Sequence, residues 1–414
     1  MTASYFSRRW LESLLSPRPP ESALGFAPPP HGGMIERWLS RALWESLPNA
    51  SPGKRGRKPG GSPEDSRALI LKPALEENCN ELGHVEAGHL LKLMDVVGVV
   101  SAFRHFNEGN IFVTASLDRT NFVSPIHAWE YIRMDSRITQ VWGSSLETEV
   151  TLSAFGLRDR ETVRHDVATA YLTYVALDER RHKVTLPPLS LGRASDYRAA
   201  RLADLRRENR RQEASEAPPL ALNATDDPFI SDISRLMTRK ETNSLGNVFG
   251  GVILEMISAA GQQAALRHAG RGPAILARID RMSFLAPAFV GETVRARALP
   301  TKTWKTSMET QVLVEAIAPG DPFHPREIAQ CYLVFVRLDE TTERPAPVPP
   351  WQPTTPQQTQ RAEAADIRRQ FRASEALQAK NEHTPRLPLW RRCQLFWRDK
   401  ASRLKRCFWI WMEP

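Results

Sequence analysis

The feature that most constrains this chain is an internal repeat. The stretch LGHVEAGHLLKLMDVVGVVSAFRH at 82–105 returns as LGNVFGGVILEMISAAGQQAALRH at 245–268. Leu82, Gly83, Val85, Gly88, Leu91, Gly98, Ala102, Arg104 and His105 all recur 163 positions later. ASLDRTNFVSP (115–125) then matches ARIDRMSFLAP (277–287), and Trp142, Ser145 and Glu147 match Trp304, Ser307 and Glu309. YLTYVALDE (171–179) closes the series against YLVFVRLDE (332–340). Four blocks that stay in register require two copies of one folding unit.

Each copy predicts the same order of elements. A short strand (67–73; 233–239) leads through a Gly-bearing turn to a helix (88–106; 250–268). Leu90, Leu91, Leu93, Met94, Val96, Val97, Val99, Val100 and Phe103 cover most directions around the first helix, so it is a buried one. Strands follow, in copy one near 111–122, 128–141, 144–157 and 163–178. In LETEVTL, Leu146, Thr148, Val150 and Leu152 alternate with Glu147, Glu149 and Thr151, the period of a half-buried strand. One buried helix followed by a long antiparallel sheet implies an α+β layer in which the sheet wraps the helix.

The blocks GNVFGG, RIDRMSFLAPAFVGE and TWKTSMETQVLVEA resemble acyl-CoA thioesterases built from tandem hot-dog domains, and their single-domain bacterial relatives. The resemblance covers roughly 66–180 and 231–341. It implies two hot-dog domains forming an intramolecular double hot-dog. The chain then divides into an N-terminal extension (1–65), domain one (66–182), a basic linker (183–230), domain two (231–342) and a C-terminal region (343–414). That last region is Pro-rich, then basic and aromatic. The resemblance also implies hydrolysis of acyl-CoA to fatty acid and CoA, with no cofactor beyond the CoA of the substrate.

Thioester hydrolysis needs a base for water, donors for the oxyanion and an apolar slot. Gly250 and Gly251 open the second helix, where free N–H groups and the positive dipole end are available. Asn247 precedes them and can orient water or polarise the carbonyl. Asp95 sits mid-helix among apolar residues, where a carboxylate either finds a polar partner or solvent, or has a raised pKa suited to a general base. The copies are complementary: His84 stands where copy two has Asn247, and Ser258 where copy one has Asp95. In the tandem thioesterases the Asp comes from one copy and the Asn from the other, which implies Asp95 and Asn247 as the working pair. The mirror combination, His84 with Ser258, lacks both groups and reads as inactive; a His–Ser pair would need an orienting acid. Copy one also has Ala87 in place of the first paired glycine.

Lys305, Ser307, Trp142 and Ser145 lie on strand–turn segments that resemble CoA-contacting loops, or are ordinary turn residues. Arg104-His105 and Arg267-His268 close their helices, where they complement the dipoles or contact a CoA phosphate. Asp118 and Asp280 recur with a following Arg and read as structural, because an active site should be asymmetric. The competing function is a non-catalytic acyl-CoA-binding or scaffold protein. A hot-dog dehydratase would want an Asp–His pair that neither copy shows.

The net charge of +9 favours anionic partners but is largely terminal and inter-domain. Residues 196–215 read as a basic exposed linker helix. The four cysteines have neither disulfide nor zinc spacing, so no metal is expected. The first stretch, MTASYFSRRWLESLLSPRPP, reads as an organelle transit peptide, mitochondrial or other, or as a tail of a cytoplasmic protein. The segment 386–414 interleaves tryptophans with Lys and Arg, a pattern for peripheral contact with an anionic membrane or for packing on its own domains; nucleic acid is disfavoured. Related tandem proteins imply a homo-oligomer, a trimer of double hot-dogs.

Overall fold

A computed structural model describes residues 60–158, 161–216, 228–243, 246–270, 272–280 and 282–383. The N-terminal leader expected before residue 60 and the basic-aromatic segment 386–414 lie outside these residues. The chain divides into two compact units, 1–352 and 353–414.

The first unit holds both copies. Copy one runs β1 (Ala68–Pro73), α1 (Ala87–His105), β2 (Ile111–Leu117), β3 (Thr120–Phe122), β4 (Tyr131–Trp142), β5 (Ser145–Arg158) and β6 (Glu161–Leu177). A linker helix α2 spans Ala194–Glu216. Copy two runs β7 (Ser231–Leu236), α3 (Gly250–Ala269), β8 (Ala274–Ile279), β9 (Met282–Phe284), β10 (Thr293–Thr303), β11 (Ser307–Ala318) and β12 (Asp321–Arg337). The strands form one 12-stranded sheet in the order β1-β4-β5-β6-β2-β9-β12-β11-β10-β7, with β3 and β8 paired beside the centre. This is the double hot-dog expected from the sequence.

The copies join in two ways. Ser116 and Leu117 of β2 pair with Ser283 and Met282 of β9, and Thr120 and Asn121 of β3 pair with Ile279 and Arg278 of β8. Helices α1 and α3 also pack on each other, and glycines allow the approach. A Cβ on Gly88 would lie 3.1 Å from the Ser258 Cβ, and one on Gly251 would lie 3.0 Å from the Lys92 Cα. Leu91 and Met94 of α1, and Leu254 and Ile257 of α3, are fully enclosed. Each such side chain contributes roughly 1.5–3 kcal/mol of burial.

The segment 111–122, expected as one strand, is two. The chain breaks at Asp118, whose carbonyl accepts from the Thr120 hydroxyl (3.0 Å) while its N–H donates to the Tyr171 carbonyl (2.9 Å). The break lets β2 pair across to β9 while β3 turns to β8.

The linker helix is less exposed than its basic sequence implies. Glu147 of β5 has no solvent exposure. Arg206 of α2 grips it with two bonds, 2.6 and 3.1 Å, and Thr139 donates a third at 2.7 Å. Arg210 pairs with Asp118 and stands 3.6 Å from Glu147. The Arg206 guanidinium also lies 3.6 Å from the centre of the Tyr171 ring. Buried carboxylates require such partners, so α2 is fixed on the sheet by the residues that make it look solvated.

The repeat is also longer than its four sequence blocks. His105 of α1 bonds the Pro187 carbonyl at 2.9 Å, and His268 of α3 bonds the Pro349 carbonyl at 2.8 Å. Each copy therefore carries an arm, beyond its last strand, that returns to the end of its own helix. These histidines thus have a specific role beyond complementing the helix dipole. The second unit's described part, 353–383, contains helix α4 (Pro356–His383). Its RAEAADIRRQFR (361–372) matches AARLADLRRENR (199–210) of α2.

Candidate active site

Asp95 lies on α1 where α1 meets the start of α3, and only 2% of it is exposed. Its carboxylate is held from three sides. Oδ2 accepts from the Gly251 backbone N–H at 2.7 Å, a bond that crosses from copy one to copy two. Oδ1 accepts from the Thr114 hydroxyl at 2.7 Å and from the Tyr174 hydroxyl at 3.2 Å. The single Tyr174 proton is shared between that oxygen and the Asp95 main-chain carbonyl at 3.1 Å.

Burial pushes the Asp95 carboxyl above its ordinary range, and the bonds from Thr114, Gly251 and Tyr174 pull the other way without cancelling it. Burial, with Asp95 beside it, holds the Tyr174 phenol well above its usual value, so it remains a donor. A carboxylate has about four acceptor positions. Three are filled here by Gly251, Thr114 and Tyr174.

Gly251 and Gly250 have separate jobs. The Gly251 N–H, expected as an open oxyanion donor, is bonded to Asp95 instead. A carboxylate facing a helix N-terminus takes the nearest donor. The Gly250 N–H, one position earlier, also has no acceptor one turn back in α3. Gly250 itself is required by close approach: a Cβ there would lie 2.5 Å from the Thr114 Oγ1 and 2.6 Å from its Cβ. Gly250→Ala should therefore displace Thr114 from Asp95 and cost about 1–3 kcal/mol. Thermal denaturation of the variant checks this.

Asn247 lies on the loop entering α3. Its backbone is fixed by bonds to Asn243, one to the Asn243 Oδ1 at 3.1 Å, and by a bridge to Phe289. It is 5% exposed, and its Oδ1 is buried without a partner among the described residues. The Arg181 guanidinium lies over the Phe289 ring at 4.6 Å. The turn after copy one thus brings a cation to the loop of copy two.

The four residues on loops that resemble CoA-contacting ones lie at hairpin turns. The Trp142 indole donates to Asp204 of α2 at 2.7 Å and is covered by Arg207, so the linker helix occupies it. The Ser145 hydroxyl bonds the Trp142 carbonyl across its turn. Lys305 is exposed, with its carbonyl accepting from Val348, and Ser307 opens β11 with its carbonyl accepting from Trp304. Asp118 and Asp280 are held in ion pairs, with Arg210 and Arg278 respectively.

Thr114 and Tyr174 are the site residues that sequence reasoning missed. They are cross-strand partners on β2 and β6. Their copy-two counterparts, Leu276 and Phe335, are also partners, on β8 and β12. The three polar groups Asp95, Thr114 and Tyr174 thus correspond to Ser258, Leu276 and Phe335. Loss of a hydroxyl at two positions, together with the acid, is the signal that could have found them.

The fold and the composite site define a class: a double hot-dog with one buried carboxylate facing the helix start of the other copy. The family profile described as the Thioesterase superfamily matches residues 82–158 and again 245–321. An uncharacterized acyl-CoA thioester hydrolase of Bacillus subtilis (strain 168) is 31% identical over 124 residues, covering 30% of this chain and 70% of that protein. The chain belongs to the thioesterase superfamily. It is also similar to the acetyl-coenzyme A thioesterase of Rattus norvegicus, at 26% identity over 326 residues, 73% of this chain and 57% of that protein. It spans about half the length of the first curated relatives it matches. The crystal structure of an acyl-CoA hydrolase from Bacillus cereus is 26% identical, with a TM-score of 0.35, covering 38% of this chain and 93% of that one.

Proposed function

We propose that the chain hydrolyses acyl-CoA thioesters to a free fatty acid and CoA, using one composite site built from both copies. The observation that carries this reading is the buried Asp95 carboxylate bonded to the Gly251 amide of the other copy. Asp95 is the general base. It takes a proton from water as the water oxygen attacks the thioester carbonyl carbon. The Gly250 N–H and the Asn247 side chain receive the developing oxyanion. The carbon–sulfur bond then breaks, and the proton passes to the thiolate. Lys305 is a candidate for a CoA phosphate, as an exposed cation. The chain works as a homo-oligomer, a trimer of double hot-dogs, which an elution volume on a calibrated sizing column would check.

The direct test is CoA release from acyl chains of graded length by the wild type and by Asp95→Ala and Asn247→Ala. Loss of most turnover with retained fold supports the enzyme. No turnover by the wild type at any length would leave the acyl-CoA-binding or scaffold reading.

Tyr174 is a positioning residue here, acting through Asp95. Tyr174→Phe, which installs the copy-two side chain, removes one bond that lowers the Asp95 pKa. The acid limb of kcat/KM should move up by about one pH unit or more. An unmoved limb would show that the hydroxyl serves packing alone.

A further inference from the structure

A cavity of about 120 Å³ lies at the mirror position of the Asp95 site. It is lined by both copies: His84, Ala87 and Leu90 around the start of α1, Ile126 after β3, and Ser258 and Leu276 from α3 and β8. By the repeat, these stand where the carboxylate site has Asn247, Gly250, Ile253, Ala288, Asp95 and Thr114. The cavity is therefore the second half-site's counterpart of the Asp95 region.

Its polar end differs from the first site in a definite way. Ser258 is 3% exposed and makes no hydrogen bond among the described residues, so its hydroxyl is available to a ligand. A serine is too short to bridge to the facing helix start as Asp95 does. Gly88, counterpart of Gly251, lies against the Ser258 side chain and the Glu255 backbone. His84 is 3% exposed, with Nε2 bonded to Glu343 at 3.2 Å and its ring edge-on to His127 at 4.7 Å. Glu343 sits at a φ of 53° in the turn after copy two, a left-handed backbone that a non-glycine residue adopts at some cost. That turn closes the copy-one loop, as the turn bearing Arg181 reaches the copy-two loop.

We propose that this mirror cavity is a second acyl-thioester site that binds a short acyl group and holds it unhydrolysed. The walls are largely apolar, with Asn80, Ser124 and Gln262 among them, and the volume is on the scale of a short acyl chain. A thioester carbonyl is a neutral acceptor and matches the Ser258 hydroxyl. A free fatty-acid carboxylate is disfavoured, because Glu86 lines the cavity and Glu343 closes on His84. Ser258 stands where the first site has Asp95, so the base proposed for that site has no counterpart here and bound thioester is retained. The proposal takes its choice of acyl thioester from the function proposed for the Asp95 site, but its readout is binding.

The test is calorimetric titration of the full chain with a thioether analogue of butyryl-CoA, which cannot be hydrolysed. Two equivalents per chain are expected. Ser258→Leu should fill the cavity and reduce this to one, with kcat on butyryl-CoA retained within about twofold. Gln262→Phe, which blocks the same cavity from a half-buried position on α3, does the same if Ser258→Leu fails to fold. Free butyrate should not displace the second equivalent. One equivalent in the wild type overturns the proposal, and so does a second equivalent that survives both blocking variants or that yields to butyrate. Two equivalents in a wild type without turnover would keep this proposal and remove the hydrolase reading.

Discussion

Asp95→Asn should lower kcat for acyl-CoA hydrolysis by about a hundredfold to ten-thousandfold, the range that general-base catalysis supplies. The substitution keeps the side-chain volume and removes the charge that accepts the water proton. Binding of the thioether analogue should change little, so the loss falls on kcat and leaves KM near the wild-type value. The pH profile sharpens the test. Burial raises the Asp95 pKa above the ordinary carboxylate range, so the acid limb of kcat/KM should lie above that range and vanish in the variant. Stability should run the other way. A carboxyl whose folded pKa exceeds its unfolded value binds its proton more tightly in the native state. Its contribution is complete below the unfolded pKa and is lost as pH rises through the folded one. Within that window, the wild type should gain activity and lose stability as pH increases. A midpoint of the acid limb at the ordinary value would remove Asp95 from the role of base.

Arg206→Ala should be the most destabilising single change outside the core. It strips two of the bonds on Glu147, which has no solvent exposure. Breaking a buried ion pair from one side costs about 3–5 kcal/mol, because the remaining charge is stranded. Arg210 at 3.6 Å keeps the loss toward the lower end. Pairing Arg206→Met with Glu147→Gln should recover much of it, since removing both charges leaves nothing stranded. Denaturant melts of the two variants decide the matter: equal loss in single and double variants would mean that α2 contributes packing and no charge pairing.

The sequence carried most of the framework. The α1 pattern, apolar on nearly all sides, placed a buried helix at 88–106, and the helix spans Ala87–His105. Alternation along LETEVTL gave β5. Asp95 stood out because a carboxylate amid Leu, Met and Val has few places to go. What stayed hidden depends on pairing between distant segments. Thr114 and Tyr174 reach Asp95 only because β2 and β6 are in register and lie against α1. Neither is unusual in its own neighbourhood. The linker helix was misread for the same reason. Its arginines look like a solvated face until Glu147 and Asp118 are brought beneath them from β5 and the end of β2. The strand break at Asp118 is likewise invisible to periodicity, which continues across it.

The β2–β9 and β3–β8 pairings place both copies in one sheet on one chain. In a symmetric dimer of separate subunits, every substitution is made twice, and the two half-sites must remain identical. Fusion removes that obligation. The partner is always present at a fixed effective concentration, and each half can change while the other keeps working. Asp95, Thr114 and Tyr174 can persist on one side while Ser258, Leu276 and Phe335 occupy the other only because the two halves are inherited as separate stretches of one gene. Covalent continuity is therefore what permits asymmetry between the half-sites, in addition to whatever it adds to stability.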